Sequence, residues 1–136
     1  MVVDLTRVVS YGLTPGSNGT VVLDLRMPKN AGGRLAGKLV VVDAGHGDHD
    51  RGARGANGKF EKELNLAIAL KVAESLRESG ANVMLTRAED FFIGVGQRPQ
   101  IANNAGADFF LSIHGNDPGN GNRNINGSQV YYHKDD

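Results

Sequence analysis

Residues 38–55, KLVVVDAGHGDHDRGARG, join a run of β-branched residues to a glycine-rich loop crowded with ionisable groups. Every position from Leu39 to Val42 is apolar, the pattern of a short strand covered on both faces, as in a parallel sheet. Residues 42–55 then place two His, three Asp and two Arg among four Gly. Three readings of that loop compete: a metal site, a phosphate cradle and a solvated turn.

The residues that follow alternate between helix and strand patterns. EKELNLAIALKVAESLRESG (61–80) carries Leu64, Ile68, Val72 and Leu76 on one helical face, widened by Leu66, Leu70 and Ala73, with Gly80 placed to end the helix. ANVMLTR (81–87) reads as a second strand and RPQIANNAG (98–106) as a second helix, with Pro99 tolerated in its first turn. ADFFLSIHGN (107–116) reads as a third strand, buried and leading into His114. After a polar loop (117–127), SQVYYH (128–133) reads as a fourth strand, with one of Tyr131 and Tyr132 facing the core. This order predicts an α/β fold with a mostly parallel sheet flanked by helices. Residues 1–37 read as an N-terminal β-hairpin appendage, VVDLTRVVSYG and TVVLDLRMP around the turn GLTPGSNG, followed by the loose linker PKNAGGRLAGK. The domain proper is therefore expected over residues 38–136.

Composition narrows the chemistry. Lys plus Arg equals Asp plus Glu at 15 each, so no net field favours nucleic acid or an anionic membrane surface. No run approaches the roughly 18 apolar residues of a membrane span, so membrane insertion is not expected. Without cysteine, any metal must be held by His, Asp or Glu.

The phosphate reading fails on spacing. Gly45 and Gly47 are followed by Asp50 where a dinucleotide fingerprint needs its third glycine, and Ala53 and Phe60 stand at the first and last positions of a would-be Walker loop. The metal reading recruits more of the chain. In open α/β sheets ligands bind beyond the carboxyl ends of the strands, and there Asp43 and His46 follow the first strand, Arg87 the second and His114 the third. His46 and His114, joined by Glu61 at the start of the helix, make the two-imidazole, one-carboxylate set of a catalytic zinc centre. Spacing alone leaves open the plainer reading, in which these are separate hydrogen-bonded polar residues.

Read in order, VVVDAGHG, RGARG, FEKELNLAIALKVAESLRESG, VMLTRAED, QRPQIANNAGADFFLSIHGN and GSQVYY resemble the zinc-dependent N-acetylmuramoyl-L-alanine amidases (Amidase_3 type), from about Lys38 to Tyr132. The resemblance implies Zn2+ held by His46, Glu61 and His114, and hydrolysis of the amide between N-acetylmuramic acid and the L-alanine of the peptidoglycan stem. It further implies peptidoglycan and an activator protein as partners, and a periplasmic or cell-wall location. Asp43 is expected to hold His46 as a carboxylate partner. Asn116 is expected to orient the last ligand's loop or the substrate, and Asn65 to support the site or bond nearby backbone. Arg87, Asp90 and Arg98 read as structural, an ion pair plus a helix-capping carboxylate, whereas Asp48, His49 and Asp50 read as solvated rim and His133 as surface. The hairpin weakly resembles the end of the β-rich wall-targeting domains found upstream of such enzymes.

The family's acid/base glutamate sits in a block resembling E-x-G-F-x-S-N, which the resemblance places beyond Asp136. No catalytic acid/base is therefore expected within these residues, and a zinc-holding module that binds peptidoglycan or regulates a partner amidase is the alternative reading. The 136 residues alone are predicted to bind zinc but to cleave muropeptide slowly or not at all; chelator-sensitive, robust release of L-alanine-terminated peptides would refute this.

Overall fold

A computed structural model of the chain describes residues 10–15, 21–26, 32–116 and 127–132. Two strands, β1 (Ser10–Pro15) and β2 (Val21–Arg26), pair antiparallel with Ser10 opposite Arg26 and Pro15 opposite Val21. The hairpin is thus present, but Gly12–Pro15, expected in the turn, continue β1. The expected strand residues before Ser10 lie outside the described residues.

The domain is built on β3 (Leu39–Ala44), α1 (Glu61–Glu78), β4 (Asn82–Leu85), α2 (Gln97–Asn104) and β5 (Phe109–Ile113). The three strands form a parallel sheet in the order β4-β3-β5, so β3 is central and all six of its residues are buried. Parallel pairing sets Val42 beside Leu85, and Asp43 and Ala44 beside Ser112 and Ile113. The carboxyl ends of all three strands therefore lie along one edge, as expected.

Alternation along β3 divides its side chains between two faces. Val40, Val42 and Ala44 pack with Ala69 and Ala73 of α1 and with Ala81 and Val83, joined at the margins by Leu66, Val72, Leu76 and Leu85. Asp43 points the other way, where Arg98 of α2 meets it. The two helices thus serve opposite faces of the sheet.

Four expectations are corrected. The buried stripe of α1 is Glu61, Asn65, Ala69 and Ala73, whereas Leu64, Ile68 and Leu70 are exposed. Ala69 and Ala73, four residues apart, let the helix axis come close to β3, so Leu66, Val72 and Leu76 of the expected face pack at the margins of the core while Leu64, Ile68 and Leu70 turn outward. Within the linker, Leu35 packs on the core and its N–H donates to the Ser79 carbonyl, so residues 32–37 are a docked turn rather than a loose tether. β5 is an edge strand among the described residues, with Phe109, Phe110 and Leu111 exposed instead of buried. The SQVYYH segment forms no strand over 128–132, and neither Tyr131 nor Tyr132 is buried.

The helix-facing correction makes a packing prediction. Ala73→Leu should destabilise the fold by about 1–3 kcal/mol through overpacking against β3, while Leu70→Ala, at a half-exposed position, should cost less than about 1 kcal/mol. Urea denaturation of the two variants against the parent chain checks the order.

Candidate metal centre

His46 leaves the end of β3 on a backbone turned left-handed, with φ +63°, and Asp48 follows at φ +50°. Such conformations in residues with a Cβ cost about 1–3 kcal/mol each and persist only where the surroundings impose them. Here the surroundings are cationic. Arg98 donates to the Ala44 and His46 carbonyls at 2.8 and 2.9 Å, and Arg87 to those of Ala44 and Gly45 at 2.8 and 2.9 Å. Lys62 donates to the Asp48 carbonyl and pairs with Asp90, whose other oxygen accepts the Asp48 N–H. Asp90 therefore braces this loop; the N-cap of α2 is Gly96, which offers no side chain.

The turn carries His46 to Glu61, the first residue of α1, and the end of β5 brings His114 to the same carboxylate. His46 Nε2 and His114 Nδ1 each lie 3.1 Å from Glu61 Oε1, and one donor atom from each of the three residues falls within 4.8 Å of the others. The imidazoles meet edge to face, their centroids 4.9 Å apart. All three residues expected to share a site are thus brought together.

Glu61 is buried and heavily bonded. Its Oε2 accepts the Ala53 N–H, while Oε1 accepts the Gly115 N–H and the Asn65 amide. Burial works to raise its pKa, but these donors and the neighbouring His46 outweigh it and hold the carboxyl below the usual glutamate value. Asn65 also donates to the Gly45 carbonyl, so it supports the site from within α1.

Asp43 corrects the expectation set for it. Its Oδ1 accepts from Thr86 Oγ1 at 2.6 Å and Arg98 Nη1 at 2.9 Å, and its Oδ2 from Ser112 Oγ at 2.7 Å, so it does not touch the His46 ring. The sheet alternation that points Asp43 at α2 is the reason. The carboxylate on His46 is Asp50, 2.8 Å from Nδ1, a residue expected to be solvated rim. Its hydrogen bond with His46 holds the Asp50 carboxyl below the ordinary aspartate value. Asp48 and His49 remain exposed. Asn116, two residues past His114, donates to Gln129 Oε1 at 2.9 Å.

Two glycines are needed for closeness, and the second, Gly52, also for a left-handed φ of +63°. A Cβ on Gly45 would fall 2.3 Å from His114 Cε1, and one on Gly52 2.6 Å from His46 Cδ2 and 2.7 Å from Glu61 Oε2. Their place beside the His46–Glu61–His114 cluster was invisible in sequence, where they read as flexible loop. Beside the cluster runs a groove of about 430 Å³ between the Ala53–Phe60 loop and the start of α1, with Leu64, Ala67, Gly115 and Asn116 among its walls.

Comparisons with known proteins point to one family. A family model described as N-acetylmuramoyl-L-alanine amidase (Amidase_3) matches residues 40–136. The N-acetylmuramoyl-L-alanine amidase LytC of Bacillus subtilis (strain 168) is 40% identical over 129 residues, 95% of this chain and 24% of LytC. A crystal structure of an N-acetylmuramoyl-L-alanine amidase from Clostridium difficile 630 superposes with TM-score 0.60 at 39% identity, over 62% of this chain and 47% of that one. The CwlD amidase of Clostridioides difficile, solved in complex with the GerS lipoprotein, superposes with TM-score 0.50 at 35% identity, over 57% of this chain and 47% of that one. The chain spans less than half the length of each of these relatives.

The depressed Glu61 pKa has a pH consequence for the metal-free protein. A carboxyl whose folded pKa lies below its unfolded value stabilises the fold above the unfolded pKa, about 4.3, and this contribution is lost as pH falls through the folded pKa. Glu61→Gln should therefore flatten part of the acid limb of a Tm-against-pH curve recorded with chelator present.

Proposed function

We propose, from the premise that the chain belongs to the N-acetylmuramoyl-L-alanine amidase family, that it carries the metal-binding residues of a zinc-dependent peptidoglycan amidase site. His46, Glu61 and His114 are the ligands in this reading. The observation that carries it is the convergence of two imidazoles on one buried carboxylate oxygen at 3.1 Å each. Two of the three donor pairs lie 3.1 Å apart and all three donor atoms fall within 4.8 Å of one another, so His46, Glu61 and His114 would be able to hold a single zinc ion between them.

When bound, zinc supplies a Lewis acid that polarises the scissile carbonyl and lowers the pKa of water towards about 7. The chain's residues supply the rest. Asp50 accepts the Nδ1–H of His46 and so leaves the lone pair on Nε2 for the metal. The donors of Ala53, Asn65 and Gly115 keep Glu61 ionised and fix its rotation. With only His46, Glu61 and His114 as protein ligands, a bound ion would remain accessible to water or substrate. The groove beside Glu61 has the place and size to seat one arm of the substrate, the amide between N-acetylmuramic acid and the L-alanine of the stem. Such a substrate implies action in the periplasm or cell wall. A protein partner is proposed by analogy with the relative solved with a lipoprotein.

Zinc titration of the metal-free chain should give one ion per chain, with His46→Ala and His114→Ala each weakening binding at least tenfold, as expected for loss of one of three ligands. A chain that takes up no zinc, or whose variants bind as tightly as the parent, would overturn the reading.

A further inference from the structure

We infer that Arg98, seconded by Arg87, is a positioning residue for the first metal ligand: its buried guanidinium holds the loop that carries His46 in the ligating conformation before any metal arrives. This rests on the proposed metal role of His46. Arg98 lies in α2, on the opposite side of the sheet from the helix that carries Glu61, and nothing about a metal site calls for a cation there.

The geometry distinguishes this role from ordinary packing. Arg98 is 6% exposed, and it donates to Asp43 Oδ1, to the Ala44 and His46 carbonyls and, through Nε, to the Ile93 carbonyl. Arg87, 1% exposed, reaches the Ala44 and Gly45 carbonyls from the end of β4 and also donates to those of Lys62 and Glu89. Three consecutive carbonyls are therefore held by two guanidiniums. These are the residues through which β3 turns into the left-handed His46, a conformation that is uncommon for a residue with a Cβ. Two cations are placed side by side at an electrostatic cost, visible in the lowered pKa of Arg87, to which burial contributes most and Arg98 next. Asp43 pairs with one of them. A planar five-donor fork can span two or three carbonyls at fixed angles, which a lysine ammonium cannot.

The test starts with the unmodified chain. In zinc-free protein, amide exchange and NMR relaxation of Gly45–Gly47 should show a single ordered loop, and its shifts should change little when zinc is added. A loop that orders only on zinc addition overturns the inference, while failure of the chain to bind zinc overturns the functional reading instead. Next, Arg98→Lys should bind Zn2+ in a chelator competition about 10–100-fold more weakly and alter the visible absorption of the Co2+ form, with far-UV circular dichroism unchanged. Asp48→Gly, which keeps the backbone bonds but relieves the second left-handed residue, should restore part of that affinity in the double variant. Folded Arg98→Lys with parental zinc affinity refutes the proposal. If Arg98→Lys does not fold, Arg87→Lys should lower zinc affinity several-fold, and parental affinity there refutes it equally.

Discussion

A buried guanidinium is the hinge between fold and site in this chain. Removing a cation from water is tolerable only when every donor finds an acceptor and a counter-charge is near. Arg98 meets that demand with Asp43 and with the carbonyls of Ala44 and His46. Asp43 in turn is completed by Thr86 after β4 and Ser112 on β5. One network therefore ties all three strands and α2 to the loop bearing His46. Loss of either charge would leave the other buried without its partner, typically a cost of about 3–5 kcal/mol.

The second organising feature is the approach of α1. Its alanines allow the helix to sit close to β3, and the same stripe, extended towards its N-terminus, brings Asn65 and Glu61 under the loop. Packing and chemistry use one helical face. Glu61 stands at the helix start, where the unpaired N–H groups favour a negative charge, and further backbone donors from Ala53 and Gly115 add to that preference. The result is a carboxylate held ionised in a buried position, next to two imidazoles that approach it over Gly45 and Gly52.

Those glycines show how a motif divides its labour. The loop 42–55 looked rich in candidate chemistry, yet its members have different tasks. His46 faces the cluster and Asp50 orients it. Gly45 and Gly52 make room, and Asp43 belongs to the network on the far side of the sheet. Asp48 and His49 face solvent.

Much of this was legible from residue order. The apolar run of β3, the helix pattern after Glu61 and the strand ends at Arg87 and His114 predict an α/β domain with its site along one edge, and the resemblance of several ordered blocks names His46, Glu61 and His114 together. Periodicity is local, and local rules serve there. What sequence could not decide is where the buried face of α1 is centred, because leucines and alanines are both compatible with an apolar stripe; the closeness of β3 centres it on Ala69 and Ala73, with Leu66, Val72 and Leu76 at its margins and Leu64, Ile68 and Leu70 outside it. Nor could it choose between Asp43 and Asp50 as the partner of His46. That choice depends on strand alternation, which turns Asp43 away, and on a left-handed turn imposed by arginines 41 and 52 positions further along the chain from His46. Contacts between residues so distant in sequence have no signature in spacing, so only the assembled sheet and its helices determine them.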